Sequence, residues 1–188
     1  MINDLQHVIF NNMAKGQGAF IIQPYTEVNV KRGLQYEVSH FFSAVASTAS
    51  VTISITTTSK PLILKGKELA YTGERIEYVI EKGAEVSGGT VKSIGNRSDD
   101  NPVTSTVTVR ANPTVDTAPT FFGSPRNYLG STNQGSRVSG SGNIEGLERI
   151  LAPNKTYLIT ITNFDANPVN IDFYVTWYEG EPDYEGEG

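Results

Sequence analysis

Two stretches near the end of the chain decide its fold: Lys155-Thr-Tyr-Leu-Ile-Thr-Ile-Thr-Asn163 and Val169-Asn-Ile-Asp-Phe-Tyr-Val-Thr-Trp-Tyr178. In both, apolar and polar side chains alternate with a period of two, which directs one face of a β-strand to a core and the other to water. The segment that joins them, Phe164-Asp-Ala-Asn-Pro168, contains Asp, Asn and Pro, which favour turns. We therefore predict that the two stretches pair as a β-hairpin.

The predicted hairpin presents one apolar face. The side chains that share this face are Tyr157, Ile159 and Ile161 in the first strand and Ile171, Phe173, Val175 and Trp177 in the second. Burial of a large apolar side chain contributes about 1.5–3 kcal/mol to stability. We expect the whole face, including the single Trp of the chain, to lie in the core.

Strand-like patterns recur upstream. Apolar and hydroxyl residues alternate over 51–58 and 103–111, and the β-branched residues that dominate these runs lose side-chain freedom in helices. Further strand candidates are Ala19–Gln23, Glu27–Val30, Leu34–Ser43, Arg75–Glu81 and Thr90–Ile94. These patterns predict an all-β fold with negligible helix. We expect an antiparallel β-sandwich of roughly eight or more strands, and the jelly roll is one form that such a sandwich takes.

The composition divides the chain into three parts. We assign residues 1–15 to a short N-terminal arm, 16–179 to a single β-sandwich domain and 180–188 to a tail. The tail interleaves Glu and Asp with Gly and Pro, a composition typical of solvated, flexible segments.

A long segment of the domain, 123–143, is rich in Gly and Ser. A loop of about 20 residues without secondary structure is unusual in a compact domain. Two interpretations stay open at this point. The segment is either a flexible surface loop or a loop that threads over an adjacent subunit, with Tyr128 and Leu129 as its anchors.

The composition also excludes several classes of protein. The formal net charge of −5 argues against nucleic-acid binding, which requires clustered Lys and Arg. The chain has no Cys, which excludes disulfides, thiolate zinc sites and Cys nucleophiles. No run of about 18 apolar residues is present, so we predict no contact with a membrane. The segment Met1–Phe10 lacks the layout of a signal peptide, so we expect synthesis in the cytoplasm without export by the usual route.

No motif for catalysis stands out. The two His residues, His7 and His40, are far apart in sequence, and no Ser lies in a Gly-x-Ser-x-Gly elbow. No Gly-rich segment follows a strand and opens a helix, which is the arrangement of phosphate-binding loops. No pair of carboxylates stands out as the two catalytic groups that glycoside hydrolysis requires. The oxygen-rich turn Ser98–Asn101 lacks the spaced Asp residues of a calcium loop. We therefore predict no enzymatic activity, no cofactor and no metal.

One further pattern spans the C-terminal third. It consists of Leu147-Glu-Arg-Ile-Leu-Ala-Pro-Asn-Lys-Thr-Tyr-Leu-Ile-Thr-Ile-Thr-Asn163 and a later strand that closes on Thr176-Trp-Tyr-Glu179. It resembles a family of tailed-bacteriophage virion proteins, whose members read approximately E-x-I-L-x-P-N-T-x-Y-L-x-x-I-T-N and end in W-Y-E or F-Y-E. The resemblance covers roughly residues 75 to 179. The chain departs from it at Arg149, where the family often has Trp.

The resemblance implies a structural protein that decorates and stabilises a capsid in the virion, after assembly in the host bacterial cytoplasm. Its partners would be the major capsid protein or other virion proteins, and it would form a homo-oligomer, with a trimer favoured. Apolar side chains in the arm and the loop would be exposed without a partner. We therefore expect these residues to bind partners: Leu5, Val8, Ile9, Phe10, Tyr128 and Leu129.

An alternative from another class is a carbohydrate- or receptor-binding module on a tail or head fibre. Aromatic rings would then stack on sugars, and the candidates are Tyr25, Tyr71, Tyr128 and Tyr184. A hydrolase of surface polysaccharide is the least supported reading, because the sequence offers no distinct pair of carboxylates.

Overall fold

The structure is a computed structural model that describes residues 25–131, 138–139 and 149–180. This part of the chain contains one short helix, α1 (Tyr25–Lys31), and short and long strands. The strands are β1 (Gln35–Val45), β2 (Ser50–Thr56), β3 (Leu62–Tyr71), β4 (Gly73–Lys82), β5 (Glu85–Ser87), β6 (Thr90–Val91), β7 (Gly95–Asn96), β8 (Thr108–Ala111), β9 (Thr114–Thr117), β10 (Thr120–Ser131), β11 (Val138–Ser139), β12 (Arg149–Leu151), β13 (Thr156–Asn163) and β14 (Val169–Glu179).

Two antiparallel six-stranded sheets pack as a sandwich. The first sheet has the order β11-β3-β14-β1-β7, with β12 also paired to β3, and the second has the order β10-β4-β13-β2-β8-β6. Strands β5 and β9 form a separate pair. The predicted all-β sandwich is therefore confirmed, whereas this strand order does not confirm a jelly roll.

The core lies between the inward faces of the two sheets, and β13 and β14 each occupy the middle of one sheet. The inward side chains predicted for these two strands are all buried, with exposed fractions of 0–1%. The Trp177 ring lies 6.0 Å from the Tyr36 ring between centroids. The prediction that Trp177 is buried between the sheets is therefore confirmed.

The predicted hairpin is wrong. Strand β13 pairs with β2 and β4 in the second sheet, whereas β14 pairs with β1 and β3 in the first. The segment 164–168 thus carries the chain across the core from one sheet to the other. Alternation alone does not separate the two arrangements, because the same side chains face inward when two strands are neighbours in a sheet and when they face each other across a core.

The crossing is fixed by two buried polar side chains. Asn163 Nδ2 donates hydrogen bonds to the carbonyls of Val45 and Asn167, both at 2.9 Å, and Asn163 Oδ1 accepts one from the Asp165 N–H at 2.7 Å. The Asp165 carboxylate accepts hydrogen bonds from the backbone N–H of Asn167 at 2.9 Å and of Glu74 at 2.6 Å. These contacts join the β13–β14 crossing to the starts and ends of neighbouring strands at one end of the sandwich.

Several predicted strand bounds need correction. The segment Glu27–Val30 lies in α1, where the backbone N–H groups of Arg32 and Leu34 bond to the carbonyls of Val28 and Asn29, so its strand prediction is wrong. Residues 103–107 are not part of a strand, because Ser105 and Thr106 bond to a carboxylate instead. Strand β3 was not predicted, because its central Lys and Glu residues break the alternation.

The predicted loop 123–143 is wrong for its first part, since residues 123–131 belong to β10, which pairs with β4. The strands predicted within Leu34–Ser43 and Arg75–Glu81 are confirmed as parts of β1 and β4. The arm 1–15, the candidate strand Ala19–Gln23 and residues 181–188 of the tail lie outside the described residues. No helix in the described ranges is long and apolar enough to cross a membrane.

Candidate partner-binding edge

Strand β10 forms an edge of the second sheet. Among the strands that the structure describes, it pairs only with β4, so the other side of its backbone has no strand partner. Its outward face carries two large apolar residues, Phe121, which is 67% exposed, and Leu129, which is 71% exposed. These are the highest values among the large apolar residues whose exposure is described. We call Phe121 and Leu129 together the apolar pair of β10.

The backbone of β10 is irregular. Its pairing with β4 shifts register between Phe121 and Gly123 and again between Gly123 and Arg126, with Pro125 in the second shift. Bulges and Pro on an edge strand interrupt the row of hydrogen-bonding groups and discourage uncontrolled pairing with another strand. The edge is therefore suited to a partner that binds through side chains more than to one that extends the sheet.

The structure separates the two β10 residues that the sequence singled out. Leu129 points to solvent, as expected of a partner-binding residue. Tyr128 is half-buried and pairs with the core residue Ile76, so its ring points between the sheets. The other predicted binding residues, Leu5, Val8, Ile9 and Phe10, lie outside the described residues. Phe121 was not singled out by the sequence, although it lies two residues before the Gly-rich segment 123–143.

Behind β10, a lysine of the first sheet reaches into the layer between the sheets. Lys67 pairs with the core residue Val175, which places it on the inward face of β3. Its Nζ donates a hydrogen bond of 2.7 Å to the Tyr128 hydroxyl and lies 3.8 Å from the centroid of the Tyr78 ring. The Tyr78 and Tyr128 rings meet edge to face at 6.5 Å. Two aromatic rings from the second sheet therefore hold one cation of the first.

Two arginines lie close to Lys67. Arg149 pairs with Leu64 on the inward side of β12, and its guanidinium lies 5.2 Å from the centroid of the Phe122 ring. A Cβ at Gly123 would lie 2.5 Å from Arg149 Nη1, so the guanidinium occupies space that only a glycine leaves open. Arg126 pairs with Tyr78 on the inward side of β10 and is exposed. We call Lys67, Arg126 and Arg149 the cation cluster.

The surroundings of Lys67 and Tyr78 shift the pKa values of both side chains. Burial lowers the pKa of Lys67, and the positive charges of Arg126 and Arg149 lower it further, while the hydrogen bond to Tyr128 opposes the shift. Burial also raises the pKa of Tyr78 above its ordinary value. Both shifts have the same cause, which is a polar group held in the apolar layer between two sheets.

A second surface feature lies on the outward face of the first sheet. It is a hollow of about 270 Å³ lined by Ser39, Glu68, Ala70, Asp172 and Tyr174. The Tyr174 hydroxyl donates a 2.7 Å hydrogen bond to Glu37 Oε2, and Arg97 Nη1 lies 3.9 Å from the same oxygen atom. Burial and the contact with Glu37 raise the pKa of Tyr174.

The sugar-stacking residues predicted from the sequence do not lie at this hollow. Tyr71 is 5% exposed and belongs to the core, so its prediction as a surface platform is wrong. Tyr128 is bound to Lys67, Tyr184 lies outside the described residues, and Tyr25 begins α1. The exposed aromatic ring nearest in register is Phe41, which pairs with Asp172 and is 56% exposed. The alternation of β1 predicts this outward position, because Phe41 lies out of phase with Tyr36, Val38 and Phe42, which face the core.

The motif that carries the resemblance maps onto structural contacts. Glu179 is 5% exposed and accepts hydrogen bonds from the Thr106 N–H at 2.9 Å, the Thr106 hydroxyl at 2.7 Å, the Ser105 hydroxyl and Trp177 Nε1–H. Tyr157 accepts a 2.8 Å hydrogen bond from the Ala152 N–H. The contacts of Glu179 and Tyr157 therefore lie within the sandwich.

His40 and the turn Ser98–Asn101 make contacts within the protein. His40 packs edge to face on Phe42 at 4.4 Å, and burial lowers its pKa. In the turn, the Asn101 N–H bonds to the Ser98 hydroxyl at 3.3 Å. The described residues contain no group of three or more His, Asp or Glu side chains that could hold a metal ion.

The chain was compared with protein-family models, with curated proteins and with solved structures. No family model matches it, and neither the curated proteins nor the solved structures give a match.

Proposed function

We propose that this chain is a non-enzymatic structural protein of a tailed-phage virion, which decorates and stabilises the capsid through contacts with the major capsid protein or other virion proteins. The observation that carries the proposal is the apolar pair on β10, Phe121 and Leu129, at an edge with no strand partner in the described part of the chain. Phe121 and Leu129 oppose Glu81 and Arg75, six residues apart along β4, so they offer two separate anchor points along one edge, and large apolar side chains are the kind that fill the core of a protein–protein interface. The resemblance of the C-terminal motif to phage virion proteins is the reason for proposing a tailed-phage particle.

The geometry of β10 suits a static contact. Its backbone is held by β4 along most of its length, so the apolar pair is presented on a rigid element and loses little conformational entropy on binding. Phe121 pairs with Glu81 and Leu129 with Arg75, so each apolar side chain has a charged neighbour on the next strand. An apolar contact with a charged rim is the usual anatomy of a protein–protein interface.

The oligomer is part of the same proposal. We infer a homo-oligomer, with a trimer favoured by the resemblance, in which β10 faces a neighbouring copy or the capsid lattice. The arm residues Leu5, Val8, Ile9 and Phe10 stay in the proposal as a second contact. Deletion of residues 1–15 is expected to weaken attachment to capsids and to leave the circular dichroism spectrum of the β-sandwich unchanged.

Binding to capsids that lack this protein tests the proposal. The variant carries both Phe121→Ser and Leu129→Ser, and the control is Phe41→Ser, which removes a similarly exposed ring from the opposite sheet. We expect co-sedimentation of the double variant with capsids to weaken by about tenfold or more, because central apolar side chains dominate interface energetics. The control should bind like the unaltered protein. Equal binding of all three proteins, with folding intact, would refute the role of β10.

A second candidate function is glycan binding at the hollow of the first sheet, and a specific observation favours it. Carboxylates of Glu68 and Asp172 and the ring of Tyr174 meet there around small side chains, a set that offers hydrogen-bond acceptors beside an aromatic face. The test is a glycan panel with the unaltered protein and with Tyr174→Ala. Binding of a glycan that the variant loses supports this function, and absence of binding to any glycan counts against it.

A further inference from the structure

The outward face of the second sheet carries two rows of side chains that cross from β10 to β4. Arg75 and Glu81 alternate with core residues along β4 and therefore face outward. Phe121 of β10 lies opposite Glu81, and Leu129 of β10 lies opposite Arg75. We call Phe121 with Glu81 the acidic row and Leu129 with Arg75 the basic row. Six residues of an extended strand separate the two rows by about 20 Å.

The basic row continues to a third strand of the sheet. Phe164, which follows β13, donates its backbone N–H to the Arg75 carbonyl at 3.0 Å, and the centroid of its ring lies 4.8 Å from the guanidinium carbon of Arg75. Arg75 Nε donates a 2.9 Å hydrogen bond to Asn127 Oδ1 on β10. Contacts on both sides therefore hold the guanidinium between two exposed apolar residues, Leu129 and Phe164.

The acidic row places the opposite charge beside an exposed ring. Glu81 is half-exposed and lies between Phe121 on β10 and Leu158 on β13. Between the two rows, residues 124–127 of β10 are all exposed. The stretch that joins the rows is therefore open to a partner along its whole length.

Two rows of opposite charge at the two ends of one face make that face complementary to itself. Consider a two-fold axis that lies in the face, runs at right angles to the strands and passes beside Tyr78, midway between the rows. Rotation about this axis places Glu81 over Arg75 of a second copy and Phe121 over Leu129 of that copy. Each contact then occurs twice, because in a two-fold interface residue i meets j and j meets i.

We infer that the β10–β4 part of this face binds a second copy of the chain, and that the two copies pack face to face about this axis. The inference rests on the proposed function, since it names the partner of the apolar pair. The contact closes with two copies, so a trimer would have to form through another surface.

The geometry of the strands favours face-to-face packing over the addition of one edge to another. Stacked sheets lie about 10 Å apart, and side chains from the two facing surfaces interdigitate. The register of β4 fixes the distance between the rows, and this distance is the same in both copies. The two register shifts and Pro125 in β10 work against pairing of the two β10 backbones.

Sedimentation equilibrium over a concentration series measures the self-association of the full chain. The single variants are Glu81→Arg and Arg75→Glu, and a third variant combines both changes in one chain. The control on the same face is Glu77→Gln, because the axis places Glu77 opposite Val79 of the second copy. Glu68→Arg repeats the charge reversal at an exposed position on the outward face of the first sheet. Circular dichroism confirms that each variant is folded.

We expect the unaltered chain to self-associate, and each single variant to associate about tenfold more weakly or worse, because like charges then meet twice across the axis. A mixture of Glu81→Arg with Arg75→Glu should recover the association, since both charge pairs are restored between the two different chains. The variant that carries both changes should associate with itself for the same reason. Both controls should behave like the unaltered chain, and added salt should weaken the association.

The inference is overturned if the unaltered chain does not self-associate, if charge reversal leaves the association unchanged, or if the mixture does not recover it. A mixture that triples the mass of the single variants, where a doubling is expected, overturns the two-fold axis.

Capsid binding separates this inference from the proposed function. If capsid binding depends on Phe121 and Leu129 but charge reversal does not affect self-association, the inference fails and the proposed function stands. If the mixed variants associate as expected but the unaltered chain does not bind capsids, the proposed function fails and the two-fold contact stands.

Discussion

Asp165 Oδ2 accepts a hydrogen bond of 2.6 Å from the backbone N–H of Glu74, although the two residues are far apart in sequence and belong to different crossings between the sheets. Asp165 lies in the segment between β13 and β14, and Glu74 lies just after the corner between β3 and β4. The Ser47 hydroxyl, from the segment between β1 and β2, donates a 2.6 Å hydrogen bond to the Asp165 carbonyl. One aspartate thus joins three crossings at the same end of the sandwich.

This arrangement predicts a pH dependence of stability. Hydrogen bonds from the N–H groups of Asn167 and Glu74 lower the pKa of Asp165. The carboxylate therefore stabilises the fold above the unfolded-state pKa of about 3.9, and this contribution is lost as the pH falls through the folded-state pKa. We expect Asp165→Asn to lower the free energy of unfolding at pH 7, and the difference from the unaltered protein to shrink toward pH 2. Urea unfolding across that range measures it, with the exposed Asp99→Asn as the control. A difference that stays constant with pH would contradict the role of the charge.

Gly73 forms the corner beside this aspartate, and its substitution tests the closeness of packing there. Its φ of 109° is in the region that favours glycine, and a Cβ would lie 2.6 Å from Val169 Cγ1 and 2.8 Å from Asp165 Oδ2. Gly83 also has a positive φ, of 77°, but a Cβ there would meet nothing closer than 4.0 Å. We expect Gly83→Ala to lower stability by about 1–2 kcal/mol through backbone strain alone. Gly73→Ala should lower it by about 1–3 kcal/mol more, because overpacking is added. Equal losses would show that the corner can relax.

Trp177 is the largest fully buried side chain, and its removal should be costly. Trp177→Ala is expected to lower the free energy of unfolding by about 3–5 kcal/mol, because it leaves a cavity between the sheets. Phe41→Ala, at an exposed position, should change it by less than about 0.5 kcal/mol. Guanidinium unfolding followed by circular dichroism measures both. A loss for Trp177→Ala as small as that for Phe41→Ala would exclude the buried position.

Substitution of Glu179 tests the contact between β14 and the segment before β8. Its carboxylate is the acceptor for the Thr106 N–H and for the hydroxyls of Ser105 and Thr106. Glu179→Ala should lower stability by about 2 kcal/mol or more, because these donors lose their acceptor inside the protein. Glu179→Gln keeps one carbonyl oxygen and should lose less. Hydrogen exchange at the Thr106 N–H gives the local readout, and the exposed Glu68→Ala is the control. Unchanged protection of that N–H in Glu179→Ala would contradict the link.

Alternation predicted the inward residues of β13 and β14 correctly, since Ile159, Phe173 and their neighbours are all buried. It did not predict which strands pair, because pairing depends on the path of the chain across the core, which Asn163 and Asp165 set through hydrogen bonds to distant segments. Strand β3 was missed because Lys67 points inward, where an apolar residue is expected. A cation is tolerated there because two tyrosine rings surround it.

The structure of the edge strand β10 was predictable only in part. Leu129 was identified as an exposed apolar residue, and the structure places it at the surface. The Gly, Ser and Pro content of 123–131 indicated a loop, but β4 supplies a partner that orders this segment as a strand. The cation cluster could not be found from the sequence, since Lys67, Arg126 and Arg149 meet only through the packing of the two sheets.

The middle positions of β13 and β14 have a consequence for how the molecule is made in the cell. On the ribosome, β1 to β4 emerge first, but β1 and β3 are separated in their sheet by β14, and β2 and β4 by β13. Each of these early strands can pair on one side with a strand that emerges before residue 156, namely β7, β12, β8 or β10, but none has both of its final neighbours until residues 156–179 have left the exit tunnel. The nascent chain therefore holds several strand edges without their final partner until that point, at a synthesis rate of about 5–20 residues per second. Neither sheet can be completed earlier, so chaperones that shield strand edges would act on the chain mainly before β13 and β14 emerge.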